Sequence, residues 1–337
     1  MATEKGRHLG FEDKLIHNIR GASALSSGPM SLSLGIGDDA ALLMPRPGHQ
    51  TILACDWFLE GTHFLRDRHP ADAVGWKSLA RALSDIAAMG GQPRCFLLGL
   101  ALPPTRTGRW LDQFLRGLRR AAQKFRCPLA GGDTTRRDQI LINVTAIGEI
   151  RKSQAIVRSG ARPGDVVCVT GRLGEAELGL RRLRDRRKVN MKDPAVRKHL
   201  YPEPRIALGR WLAARRIATA MMDLSDGLSS DLPRLCAASR VGARIFAAKL
   251  PNVSSPSSSR LQNTAPVSPM ELGLNGGDDY ELLFTVQPGK ARSLPRSFHG
   301  IPLTKIGEIT RERSLKLICS NGCEQPLEAR GWDPFGK

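Results

Sequence analysis

Most of nine aspartates in this chain, Asp38, Asp39, Asp56, Asp85, Asp133, Asp223, Asp226, Asp278 and Asp279, stand at the end of an apolar run beside glycine or serine. Two of them are adjacent in Gly35-Ile36-Gly37-Asp38-Asp39-Ala40-Ala41-Leu42. Neighbouring carboxylates repel unless positive charge lies beside them. A hard cation is the usual remedy, because Mg²⁺ takes oxygen ligands and often brings phosphate with it. The chemistry to expect is a metal-phosphate site. The plainer use of each aspartate is to cap a helix or brace a turn.

Two other phosphate-binding devices fail on spacing. Gly35, Gly37 and Ala40 fit G-x-G-x-x-A, with Asp56 about twenty residues on. That fingerprint needs a helix at once to carry the pyrophosphate, but Pro45, Pro47 and Gly48 follow Ala41-Leu42-Leu43-Met44. Gly75-Trp76-Lys77-Ser78 has the tail of a P-loop without its first glycine. A triphosphate must therefore be held through several Mg²⁺ ions on carboxylates. Arg158, beside a glycine-containing connector, is a candidate for phosphate oxygens, with a structural salt bridge as its plainer role.

The elements that must position these acids read as alternating strands and helices. Phe11 to Ile19 has helical spacing, and Thr51 to Asp56 reads as a buried strand ending in an acid. Val74 to Met89 is a helix stopped by Gly90-Gly91, with Asp85 near its end. Phe96 to Leu102 is a strand and Trp110 to Phe125 a helix. Cys127 to Ala130 precedes Gly131-Gly132-Asp133, and Ile140 to Ile147 is a strand. A first domain then closes near residue 150. Beyond it come strand Val166 to Thr170, helices Glu175 to Leu183 and Pro204 to Arg215, Asp223 to Gly227, helix Leu228 to Ser239 and strand Ala243 to Leu250. The Ser- and Pro-rich stretch Pro251 to Pro269 reads as a surface loop, followed by strands Leu282 to Val286 and Lys305 to Ile309. This is an α/β layer pattern, with carboxylates expected at one end of a sheet.

At 337 residues the chain has room for two domains, and its 41% hydrophobic and 25% charged content is that of a globular protein. The formal charge of +19 favours anionic partners without choosing among them. The run Arg181 to Lys188 reads as a solvated helix face or loop. Seven scattered cysteines form no C-x-x-C pair and fit reduced thiols in a cytoplasm. No apolar run is long enough for a membrane span or signal peptide, so an intracellular, cytoplasmic protein is expected.

The motifs taken together resemble the thiamine-monophosphate kinase family. They are Gly35 to Ala40, Asp56 with Glu60-Gly61-Thr62-His63-Phe64, Leu83 to Gly90, Gly131 to Arg136, Arg158 to Ala161, Asp223 to Leu228 and Gly276 to Leu282, in the family's order over nearly the whole chain. The resemblance implies a two-domain PurM-like (aminoimidazole-ribonucleotide synthetase-like) architecture, α/β plus α+β. Residues 1–150 would form an ATP- and Mg²⁺-binding domain and 151–337 an α+β domain, paired in a homodimer. It implies ATP and thiamine monophosphate as substrates and thiamine diphosphate as product. Asp39, Asp56, Asp85, Asp133, Asp223 and Asp226 would ligate Mg²⁺. Gly132, Asp133, Arg158 and Ser225 would contact ATP, and His63, Asp278 and Trp332 thiamine monophosphate. An acceptor phosphate mostly ionised at neutral pH needs no general base, so direct in-line transfer is expected.

The chain departs from the family in places. Ala54 and Cys55 precede Asp56 where hydroxyl residues are usual, Trp57 follows it, and Asp278 replaces a glutamate. Cysteine is a poor Mg²⁺ ligand. Trp332 and His63 also have plainer uses, as a tail tryptophan packed on its own domain and a satisfied structural histidine. Rival readings are another ATP-using enzyme of the same superfamily, or a degenerate RNA-binding protein that no longer catalyses. The second rests on charge alone, since aromatics are only 5% and no nucleic-acid motif is present. Nucleic acid is expected to bind only non-specifically, through basic surface.

Overall fold

The computed structural model describes residues 32–36, 40–185, 189–253, 267–333 and 335. The helix expected over Phe11 to Ile19, Asp38 and Asp39, Arg186 to Lys188 and most of the Ser- and Pro-rich stretch lie outside these residues. The strands are β1 (Leu32–Leu34), β2 (Leu42–Leu43), β3 (His49–Leu59), β4 (Gln92–Leu102), β5 (Leu129–Arg136), β6 (Leu141–Arg151) and β7 (Val166–Thr170). Then come β8 (Ala218–Leu224), β9 (Gly242–Phe246), β10 (Glu281–Val286), β11 (Ser297–Phe298), β12 (Ile301–Thr310), β13 (Leu315–Ile318) and β14 (Glu324–Pro326). As the two prolines and Gly48 require, no helix follows Ala40; the next is Ala71–Ala88.

The chain divides into two compact units. One holds Cys55–Leu79 and Pro93–Ile147 with the described part of Met1–Arg46; the other holds Pro47–Ala54, Ala80–Gln92 and the described part of Gly148–Lys337. β3, β6, β4 and β5 lie in that order in a four-stranded sheet, with β4 parallel to β5 and Gly99 in register with Asp133. In the first unit the helix Arg109–Phe125 turns Leu111, Phe114, Leu115 and Leu118 inward. Gly75 and Gly117 permit close approach of backbones: a Cβ on Gly75 would lie 2.0 Å from the Phe114 carbonyl oxygen, and one on Gly117 1.8 Å from that of Asp72.

In the second unit the sheet order is β14-β13-β9-β12-β7-β10-β8. β10 is antiparallel to both β7 and β8, pairing Leu282 with Asp223. All six residues of β10 are buried, as the run Glu281 to Val286 requires of a central strand. One face packs Leu224, Leu228, Leu232 and Leu283 into a core, the other Met221, Leu282, Phe284 and Leu212. The helix Ala71–Ala88 ends at Gly90, in the left-handed region at φ 75°, whose N–H donates to the Ala87 carbonyl.

Several sequence expectations are corrected. β3 is not a buried strand ending at Asp56; it runs to Leu59 and is exposed on one side, with Leu53 71% and Trp57 56% accessible. The apolar run Thr51 to Cys55 hid a period-two alternation because that exposed side is itself partly apolar. Gly131-Gly132-Asp133, read without an element of its own, lies inside β5, since the parallel partner β4 carries the pairing through it. β9 stops at Phe246, and a 3₁₀ turn covers Ala247–Lys249. Pro269 begins a short helix, Pro269–Asn275, capped by Ser268, rather than closing a loop. The start of the basic run is not simply solvated: Arg181 pairs with Glu177 at 2.7 Å and Arg182 with Asp193 at 2.5 Å.

Candidate functional site

In the second unit, β8 delivers Asp223, 4% exposed, and then Ser225 and Asp226 in the bend before the helix Leu228–Ser239. Gly227, at φ 103°, makes the turn where a side chain would be strained. The bend is held from three sides. Asp231, fully buried one turn into the helix, accepts the N–H groups of Ser225 at 3.1 Å and Asp226 at 3.0 Å. The N–H of Asp278 donates to the Ser225 carbonyl at 2.8 Å, and that of Trp332 to the Asp226 carbonyl at 2.9 Å. The structure thus brings Asp223, Ser225, Asp226, Asp278 and the Trp332 backbone together. The Trp332 ring remains 45% exposed, so docking of the tail does not use up its faces.

Arg234 Nη1 donates to Asp226 Oδ2 at 2.5 Å and to Asp231 Oδ1 at 2.8 Å. Burial, with Asp226 and Asp223 nearby, nevertheless pushes the Asp231 carboxyl up to about 7, against the Asp226 N–H and Arg234. Asp278 sits in the left-handed region at φ 65°; its carboxylate accepts the Tyr280 hydroxyl at 2.7 Å and lies 3.8 Å from His199 Nδ1.

Its neighbour Asp279 does something else. Only 2% exposed, it accepts the N–H groups of Gly174 at 2.6 Å and Ala176 at 3.1 Å, capping the helix Glu175–Arg184 from a distance. For Asp279 the plainer use of an aspartate holds. Glu281, 1% exposed, accepts Thr170 Oγ1, Lys198 Nζ and Arg205 Nε, each at 2.6 Å, and also Arg205 Nη2. Burial alone would raise its carboxyl, but Lys198 and Arg205 hold it down at about 2.

In the first unit, Asp133 is exposed within β5 and Asp56 half-buried within β3. Neither stands at a strand end. Gly132 lets β5 run close to β4, since a Cβ there would lie 2.0 Å from the Leu98 carbonyl oxygen. Beside Asp56, Cys55 Sγ lies 3.3 Å from Asn143 Nδ2 and 3.7 Å from Thr145 Oγ1, and Asn143 Nδ2 also reaches the Asp56 carbonyl at 3.3 Å. An amide and a hydroxyl therefore flank the exposed Cys55 thiol. His63 Nδ1 accepts the Leu59 N–H at 3.0 Å, which places the ring proton on Nε2. Its loop is tied down by Glu60, whose Oε2 accepts the Ile140 N–H at 3.0 Å.

Asp85 is half-buried in the last turn of Ala71–Ala88, in the second unit's share of that helix. Arg158 is exposed in a 3₁₀ turn, its carbonyl accepting Ser239 Oγ at 2.6 Å. No described hydrogen bond joins Arg158 to Ser225 or Asp226. Among the described residues, no three His, Cys, Asp or Glu side chains gather as a group that could hold a metal ion. The donor chemistry still fits Mg²⁺: the side-chain donors are carboxylate oxygens, and a guanidinium already sits between two of them as a cation would. Sequence reading missed Asp231, Arg234, Lys198 and Arg205. Asp231 carried a signal, because a helical acid five residues after Asp226 returns toward the preceding bend.

The fold and these carboxylates define a class. Residues 37–150 match the N-terminal domain, and 162–320 the C-terminal domain, of AIR synthase related protein. Thiamine-monophosphate kinase of Synechococcus elongatus is 37% identical over 306 residues, covering 89% of this chain and 91% of the relative. That of Escherichia coli K12 is 38% identical over 315 residues, covering 92% and 94%. A solved structure described as AaThiL complexed with AMPPCP and TMP has a TM-score of 0.75 at 31% identity, covering 99% of this chain and all of the other. The chain belongs to the thiamine-monophosphate kinase family. No helix among the described residues is long and apolar enough to cross a membrane.

Proposed function

We propose that the protein transfers the γ-phosphoryl group of ATP directly, in line, to thiamine monophosphate, giving thiamine diphosphate and ADP. The observation that carries this reading is the braced bend Ser225-Asp226, which presents carboxylate and hydroxyl beside Asp278 and Trp332. Asp56, Asp85, Asp133, Asp223 and Asp226, with Asp39, would hold Mg²⁺, which neutralises phosphate charge and aligns the transferring group. In this reading Gly132, Asp133, Arg158 and Ser225 bind ATP, Arg158 through its planar fork.

His63 would contact thiamine monophosphate through its ring. Asp278 faces the cationic substrate, and Trp332 lends a ring face to a cationic heterocycle. Because the acceptor phosphate is already mostly ionised, these residues orient it without removing a proton. Residues 1–150 and 151–337 would form the two functional domains in a cytoplasmic homodimer. The exposed apolar side chains Leu53 and Trp57 on β3 support pairing.

The test is incubation with Mg²⁺, ATP and thiamine monophosphate, with thiamine diphosphate measured for the protein and for Asp133→Asn. Product that falls on the order of a hundredfold in the variant is expected. A well-folded protein that makes none sinks the reading.

A further inference from the structure

We propose that Arg234 is a built-in competitor for the cation at Asp226: its guanidinium holds that carboxylate in the metal-free protein and must withdraw when a divalent cation binds. The inference rests on the reading of Asp226 as a metal ligand and adds a residue that sets how tightly the metal binds.

The backbone around Asp226 has little freedom to adjust. Its N–H is taken by Asp231, its carbonyl by Trp332, and the carbonyl of Ser225 by Asp278. Gly331 approaches so closely that a Cβ there would lie 2.0 Å from the Asp226 carbonyl oxygen. What remains adjustable is the carboxylate's choice of partner. One nitrogen, Arg234 Nη1, spans Asp226 and Asp231, the place where a positive charge best balances both. The two partners differ in what they can do next. Asp231 has no solvent contact and anchors two backbone N–H groups, so it stays. Arg234 is 43% exposed on the outer side of its helix turn, so its guanidinium can return to water at small cost. A divalent cation brings twice the charge to the same oxygens, and the arginine yields.

Mn²⁺ serves as the probe, its dissociation constant measured calorimetrically on the full chain without nucleotide. Arg234→Gln should bind Mn²⁺ roughly three- to tenfold more tightly than the parent protein, while Arg234→Lys stays close to it. Without metal, Arg234→Gln should unfold at lower temperature than the parent and recover the difference at saturating Mn²⁺. Equal or weaker Mn²⁺ binding by Arg234→Gln, or no binding by either form, overturns the proposal. Thiamine diphosphate formation is followed separately: its absence with the difference in Mn²⁺ affinity intact would count against the kinase reading alone.

Discussion

Two buried carboxylates of the second unit have opposite surroundings. Glu281 meets Lys198, Arg205 and Thr170, so burial is more than offset and its carboxyl stays near 2. Asp231 meets two backbone N–H groups and a single shared arginine, with Asp226 and Asp223 beside it, and its carboxyl rises to about 7. The first is a finished ion cluster that ties β7 and β10 to the segment Lys198 to Arg205. The second relies on two backbone N–H groups and one arginine shared with Asp226, and these do not outweigh burial. Adjacent Asp278 and Asp279 differ in another way: the Asp278 carboxylate accepts the Tyr280 hydroxyl and lies near His199, while that of Asp279 is spent on a helix cap.

The sharpest way to break the comparison is Glu281→Gln. It leaves two half-buried cations without their carboxylate and should cost about 3–5 kcal/mol of stability, read by denaturant unfolding. A loss below 1 kcal/mol would mean the cluster is not the closed structural unit described.

Acid titration comes next. The Glu281 carboxyl is depressed from an ordinary 4.5 to about 2, so its contribution is full above 4.5 and is lost as pH falls toward 2. That loss should be on the order of 3 kcal/mol and absent in Glu281→Gln. Asp231 has the opposite sign. Its carboxyl is raised from 3.8 to about 7, so the folded state keeps its proton longer and stability falls as pH rises from about 4 to about 7. Asp279, also pushed to about 7 by burial, adds to that fall, so the part due to Asp231 is the part that vanishes in Asp231→Asn.

Smaller effects separate the remaining pair. Asp279→Ala strips the Gly174 and Ala176 N–H groups of their acceptor and should lower stability by about 1–3 kcal/mol. Asp231→Asn should not lower the stability of the metal-free protein at pH 8, because the amide keeps an acceptor and removes a charge whose burial costs stability there. A large loss there would make Asp231 a second Glu281. Trp332→Ala is the mildest structural change, within about 0.5 kcal/mol, yet it should raise KM for thiamine monophosphate while leaving that for ATP unchanged.

Much of this was written in local chemistry. The helix Leu228–Ser239 and the strand Val166–Thr170 fall where period and flanking glycine place them, and Gly90-Gly91 ends its helix by left-handed geometry. The motif aspartates could be named before any coordinates, because acids beside glycine after apolar runs are unusual in number here. β13 and β14 escaped notice, since four- and three-residue strands carry too little pattern to stand out. β3 was misjudged because an apolar exposed side mimics burial.

By itself the sequence determined the alternation of elements, the family and the set of acids proposed to bind a cation, all of which follow from residue type at short spacing. Only the tertiary structure decided what each acid does. Asp278 and Asp279 are chemically alike and adjacent, and one accepts the Tyr280 hydroxyl while the other caps a helix more than a hundred residues earlier in the chain. Asp231 gained its meaning from the bend it folds back upon, and Glu281 from cations 76 and 83 residues away. Charge balance at a buried carboxylate depends on groups brought together from distant parts of the chain, and spacing along the sequence does not encode that sum.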